Sequence, residues 1–313
     1  MNRFLPLCVF IVASALFPAL AVGIGDDTQK YRADLNEGIA LIREGSHDDL
    51  IRAIAKFKAA LKLRPESAEA YYWIALTYSD LNNYPRAADN AKDATIYDDR
   101  LAEAWLLWGQ VLLYQKDWDE ALKKLETASR LAPDDPLVLF NLGRVYYHGL
   151  KDPGAAYSRF NRVWQSGQTL RRENPENALL VLRARLYMGY CEFDRGQWTN
   201  AANAFQDVLR EQPNNYDAAL RLALTYAKSD RHGEAERILQ SLLSIPRDSA
   251  INRQLLTETN LQLADLYLKS PALRNRLFAL THLREFVNLI GDITHPALEP
   301  VREYLAQHDI PEY

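Results

Sequence analysis

At 313 residues the chain is long enough for two ordinary domains of roughly 150 residues each. Its 48% hydrophobic content excludes disorder over most of its length. Thirteen glycines and 14 prolines are few for this length and argue against a strand-rich, turn-dense fold. The balance of 37 basic to 41 acidic residues, net −4, supplies no basic face for a nucleic-acid backbone, so no nucleic-acid partner is expected.

The first stretch stands apart from the rest. Arg3 is the sole charge before Asp26, residues 4–17 are apolar, and Ala19-Leu20-Ala21 has the small-x-small form of a cleavage site. Residues 1–21 are therefore expected to be a secretory signal, cleaved after Ala21; losing Arg3 takes the net charge from −4 to −5. Export to the periplasm or the medium follows. The alternative is an uncleaved anchor over residues 4–25, the single route to a membrane in this chain. Pro6 and Pro18 favour cleavage. Cys8 leaves with the signal, and Cys191 then stands alone in an apolar helical pattern, with no disulfide partner.

Residues 22–27 read as a linker. Helical periodicity then begins and hardly stops. A first hairpin spans 28–44 and 48–63, broken at Gly45-Ser46 and closed by Pro65. The next are 68–81 with 84–97, 102–115 with 118–131, and 136–148 with 153–165. Phase breaks over 166–175, where 167–176 reads as a polar loop or extra half turn carrying Arg171 and Arg172. Hairpins resume over 177–291 with a long helix at 177–194 and end in an elongated pair, 248–269 and 272–290. A helix at 295–308, within 292–313, would cap the final apolar face.

The spacing carries the fold assignment. Ala53, Ala87 and Ala121 are 34 apart, as are Phe57, Ala91 and Leu125, and Ala60, Ala94 and Ala128. Ala75, Gly109 and Gly143 keep the same step, and after the break Gly189 to Ala223, Ala201 to Ala235 and Phe205 to Leu239 return to 34. A fixed period in this range means stacked supersecondary units, each too small to bury its own apolar faces. The fourth hairpin carries one extra residue, expected in the loop near 151–153.

These residues resemble the tetratricopeptide repeat, with its W-x2-L-G-x2-Y, A-x3-F-x2-A and closing P. Trp105, Trp108, Gly109 and Leu112 fill the first half; Ala121, Leu125, Ala128 and Pro133 fill the second. The resemblance implies an all-α, right-handed superhelical solenoid of about six to seven helix hairpins plus a capping helix. It also makes Tyr84, Trp118 and Trp198, at the starts of second helices, packing posts.

No nucleotide-binding, metalloprotease, nucleophile-elbow or paired-cysteine motif occurs, and the six histidines lie one to a segment. No catalysis, cofactor or metal is expected. The resemblance implies that first helices line a concave groove, where phase places Tyr72, Leu76 and Asp80, then Leu106, Gln110 and Tyr114, then Phe140, Asn141, Arg144 and Tyr147, and finally Arg183, Tyr187, Tyr190 and Asp194. Tyr and Arg are common binding anchors. The family's carboxylate clamp matches here at Asn141 and Arg183 alone, so chaperone tails are not the expected ligand. The expected function is a non-catalytic protein–protein interaction scaffold of the cell envelope, holding a peptide or helix of a partner. The alternatives are a small-ligand or lipid carrier walled by the elongated hairpin, and an enzyme with an unrecognised site.

Overall fold

The computed structural model describes residues 26–173, 177–246, 250–269 and 276–290. Among them are fifteen α-helices and no strand. In chain order they are α1 (Asp26–Glu44), α2 (His47–Leu63), α3 (Ala68–Asp80), α4 (Tyr84–Tyr97), α5 (Ala102–Tyr114), α6 (Trp118–Leu131), α7 (Pro136–Arg144) and α8 (Pro153–Gln165). They continue as α9 (Gly167–Glu173), α10 (Asn177–Asp194), α11 (Trp198–Glu211), α12 (Tyr216–Lys228), α13 (His232–Leu242), α14 (Ala250–Lys269) and α15 (Arg276–Ile290). The chain forms two compact units, one up to Cys191 and one from Glu192, with the boundary inside α10. The expected signal, the anchor alternative and the capping helix lie outside the described residues. The first helix begins at Asp26, inside the expected linker of 22–27.

Sequence-local chemistry sets the helix ends. Ser46, Ser67, Asn83, Asp117, Asp152 and Asn215 each cap a helix by accepting the N–H three residues on. Such a cap is worth about 1 kcal/mol. α4, α6, α8 and α10 keep the bounds read from periodicity.

In the first unit each helix from α1 to α8 packs on the next, and consecutive first helices also touch: α1 on α3, α3 on α5, α5 on α7. The residues in 34-step register form the core. Ala53, Ala87, Ala121, Phe57, Leu125 and Phe160 are fully buried. Burying each large side chain contributes roughly 1.5–3 kcal/mol. The glycines mark the closest approaches. A Cβ on Gly109 would lie 2.6 Å from Leu125 Cγ, and one on Gly143 2.6 Å from Phe160 Cε1. In the second unit Ala201, Phe205, Ala235 and Leu239 repeat the same pattern, and α14 and α15 close on each other through Leu263, Ala264, Tyr267, Ala279, Leu283 and Phe286.

The turn between the helices of a hairpin has a recurring form that periodicity does not reveal. Asn82, Lys116, Lys151, Gly196 and Asp230 all have φ between 54 and 71°. Each is followed by the residue preceding a second helix. That residue's N–H bonds back five positions, Asn83 to Tyr78 and Asp117 to Leu112, at 2.8 and 3.0 Å.

The fourth hairpin departs from this. Asp152 N–H reaches six back, to Tyr146. The extra residue therefore does not sit in the 151–153 loop; it is absorbed before it, in a π-helical turn, Val145–Gly149, that ends α7. A π turn takes up one residue without disturbing the register on either side.

The expected polar loop at 167–176 is also corrected. Residues 167–173 form α9, because Gly167 lets the backbone come against Val181 and Leu170 adds an apolar anchor to the core.

Candidate functional site

The surface of interest is the row of first helices in the first unit. Its inner edge is periodic. Asp80, Tyr114 and His148 follow one another at the 34-residue step. The packing posts lie against it: Tyr84 stacks on Tyr114 with ring centroids 5.0 Å apart, and Trp118 stacks on His148 at 6.3 Å. In the second unit Trp198 meets Phe193 edge-on at 5.2 Å. These posts are structural, and in the first unit they also orient the rings of the inner edge.

Tyr114 is the most open of these rings, 46% exposed on its Tyr84 base. The Arg144 guanidinium lies 5.7 Å from its centroid, a separation at which the cation is drawn to the ring face. Arg144 Nη1 donates to Asn141 Oδ1 at 3.2 Å, and Asn141 Nδ2 donates to the Leu137 carbonyl at 2.7 Å. Asn141 thus orients Arg144 and is itself held by its own helix. Arg144 Nε is buried with no acceptor among the described residues.

Beyond Arg144 the surface becomes aromatic. Tyr147 stacks on Tyr190 at 6.2 Å and meets Tyr187 edge-on at 5.9 Å. Tyr187 backs onto Phe160 and Phe140, and its hydroxyl is 3.1 Å from His148 Nε2. Arg183 covers the Phe140 ring at 5.4 Å. Burial, with the positive charges of Arg144 and Lys151 behind it, holds the His148 imidazole below the usual histidine range. It is therefore neutral at pH 7 and serves as a hydrogen-bonding ring.

The structure separates the residues that phase alone grouped together. Tyr114 is exposed, and Tyr72, Arg144, Tyr147, Arg183, Tyr187 and Tyr190 are half-buried at the surface. Gln110, Phe140 and Asn141 are not on the surface: they are 7, 3 and 3% exposed. Leu76 and Leu106 are likewise core. The reason is that a first helix has neighbours on three sides, its own partner and the first helices before and after it, so its open strip is narrower than one helical face. His148 was missed as a member of the cluster. Its signal was in the sequence, one repeat step beyond Tyr114.

No group of three or more metal-ligating side chains comes together among the described residues. Cys191 is fully buried. What the surface offers is aromatic faces, hydroxyls and guanidinium donors. No described helix is long and apolar enough to cross a membrane.

Comparison with known proteins agrees with the fold. Family models described as tetratricopeptide repeat, TPR repeat and anaphase-promoting complex, cyclosome, subunit 3 match residues 192–258, 109–149 and 48–128. The fold and these matches make the chain a tetratricopeptide-repeat (TPR) protein. Among curated proteins it is 22% identical over 261 residues to the BBSome complex member BBS4 of Bos taurus, covering 83% of this chain and 46% of that one. The chain spans less than half the length of the curated relatives it matches. Among solved structures it resembles a tetratricopeptide repeat protein from Parabacteroides merdae at 16% identity and a TM-score of 0.59, covering 84% of this chain and 100% of that one. It also resembles YrrB, described as a TPR protein with an unusual peptide-binding site, at 24% identity and a TM-score of 0.51, covering 63% and 96%.

Proposed function

We propose that the protein is a non-catalytic adaptor that holds an extended peptide or a helix of a partner protein along the open strip of α3, α5, α7 and α10. The observation that carries the reading is Tyr114: a large ring, 46% exposed, braced from behind by Tyr84 and flanked by Arg144. Rigid aromatic and arginine side chains on a fixed scaffold supply contact area at low entropic cost. The wall of half-buried tyrosines beyond it extends the same surface. The fold is shared with YrrB, whose description names a peptide-binding site.

Export to the cell envelope is part of the proposal, supported by Arg3, the apolar run 4–17 and Ala19-Leu20-Ala21. N-terminal sequencing of protein from the extracytoplasmic fraction should begin at Val22; an intact Met1 terminus in the cytosol would overturn it. For the lipid-carrier alternative, the facing apolar residues of α14 and α15 fill the space between them. The hollow beside them, about 370 Å³, is lined by Asn260, Thr281, His282 and Glu285 among others, and a hollow of about 610 Å³ against α14, walled by Pro213, Tyr216, Ile251 and Leu255, opens broadly to the surface.

The test is affinity capture from the native compartment with wild type and with the double variant R144A/Y147A. The variant is expected to stay folded by circular dichroism and to lose the captured partner. Equal capture by both proteins would refute the groove assignment.

A further inference from the structure

The strip is not chemically uniform, and its two ends differ in charge. Asp80 closes α3. Its Oδ1 is buried and has no hydrogen-bond partner among the described residues. The neighbouring amides cannot help, because Leu81, Asn82 and Asn83 N–H groups all turn back onto Thr77, Ser79 and Tyr78 carbonyls. Burial pushes the Asp80 carboxyl up to about 7, and among the described residues no charged side chain offsets it. The C-terminal end of α3 adds the negative pole of the helix dipole, which favours a cation and opposes the carboxylate further. A half-buried acid with one oxygen shut off from both donors and water is costly to a fold. Such violations of local consistency are expected where a site serves binding.

The α7 end is the reverse. Arg144 spends one donor on Asn141, presents the ring-facing side of its guanidinium to Tyr114, and has no carboxylate within ion-pair distance among the described residues. Arg183, farther along, rests on Phe140 and likewise has no carboxylate partner. Between the two ends lies Tyr114. α3 and α7 are two steps apart in the row, and at about 9 Å per step the ends are separated by roughly five or six residues of extended chain. Both α3 and α7 have further neighbours, α1 on one side and Tyr190 of α10 on the other. A bound chain therefore runs on past both ends.

We propose that the strip takes an internal, extended stretch of a partner protein bearing a Lys or Arg side chain over Asp80 and an Asp or Glu side chain over Arg144, five or six residues apart, with an apolar residue between them on Tyr114. This rests on the groove reading above and adds the partner's charge pattern. The cation pairs with Asp80 through its outer oxygen, Oδ2, the carboxylate pairs with Arg144 through the Nη end of the guanidinium rather than the buried Nε, and reversing either charge places like charges together.

The experiment is selection of a random 12-residue peptide display library on the full chain, followed by fluorescence anisotropy with resynthesised, end-blocked binders. Wild type is expected to enrich peptides with a basic and an acidic residue five or six positions apart. Norleucine in place of the basic residue should cost at least tenfold in affinity on wild type and nothing on D80N. Glutamine in place of the acidic residue should do the same on wild type and nothing on R144Q. D80N keeps the neutral side chain that burial already favours, so loss of fold does not confound it. Binders without the charge pair, or equal losses on wild type and on the matching variant, would overturn this inference while leaving the groove reading intact, provided binding still falls with Y114A/Y147A. Failure to select any binder, or binders indifferent to Y114A/Y147A, would overturn the groove reading and this one with it.

Discussion

The two units differ in how their tyrosines and charged side chains meet: the second joins several of them to each other, and the first leaves Asp80 and Arg144 without an ion-pair partner among the described residues on either side of Tyr114. In the second, Tyr267 donates its hydroxyl to Glu236 Oε1 at 2.6 Å and accepts from Gln240 at 3.0 Å. Tyr226 accepts from Gln206 at 2.8 Å and lies under Arg231, which is itself paired with Glu234. Asn260 Oδ1 and His282 Nδ1 meet at 2.8 Å. In the first unit Asp80 and Arg144 have no counter-charge. That exception is local, since the same unit pairs Arg32 with Glu69 and Lys56 with Glu37. Buried atoms without a partner among the described residues also occur at Asn177 Oδ1 and His232 Nδ1; Asp80 and Arg144 differ in carrying opposite charges on one strip, on either side of an exposed ring. The second unit, with its tyrosine hydroxyls engaged internally, reads as scaffold.

This contrast can be tested by removing groups on each side of it. The largest effect is expected at Asp80. Its folded pKa, about 7, lies above the ordinary carboxylate value of 3.8. The folded state therefore holds the proton more tightly, and the contribution is fully present below about pH 4 and lost as pH rises through about 7. Urea unfolding should show wild-type stability falling across that window. D80N should remove the largest part of the fall, leaving the smaller contributions of Glu69 and Asp93, whose carboxyls burial also raises, and gain roughly 2–4 kcal/mol at pH 8. A flat wild-type profile would mean that Asp80 is solvated and would remove the contrast.

Next in size is the hairpin packing. Gly109→Ala should destabilise by about 1–3 kcal/mol, since its Cβ must displace Leu125. Gly233→Ala in the second unit, where a Cβ meets nothing within 4 Å, should be neutral or slightly stabilising in thermal melts. Glu236→Gln should cost about 1 kcal/mol, opposite in sign to D80N, because it weakens a bond that is made. Smallest is the turn. Lys116 holds φ 61° where the second unit has Gly196 at 70°. Lys116→Gly is expected to gain about 0.5–1 kcal/mol and Gly196→Lys to lose a similar amount. Equal responses at both sites would mean that the two turns are not equivalent.

The groove was legible in part. Tyr114 and His148 share one register and Gln110 and Arg144 another, because a 34-residue step repeats the same direction on each first helix. Gln110 is nevertheless buried where Arg144 is half-buried, and Phe140 and Asn141 on the same helix are buried. Equal register therefore does not fix exposure; side-chain length and the neighbouring helices decide which side of the boundary a residue falls on. The extra residue of the fourth hairpin is a similar case. Its existence was countable from Ala121 to Ala156, but its location in a π turn was set by which hydrogen bonds the packed helix could keep.

By itself the sequence determined the repeat frame, the helix ends and the core alanines and aromatics, since periodicity, caps and small residues at close approaches act locally and recur in every copy. The tertiary structure alone decided which polar groups found partners. Whether Asp80 meets a donor depends on amides and side chains that the turn and the adjacent helices bring near it or turn away. That is a property of three-dimensional arrangement, and no spacing along the chain encodes it.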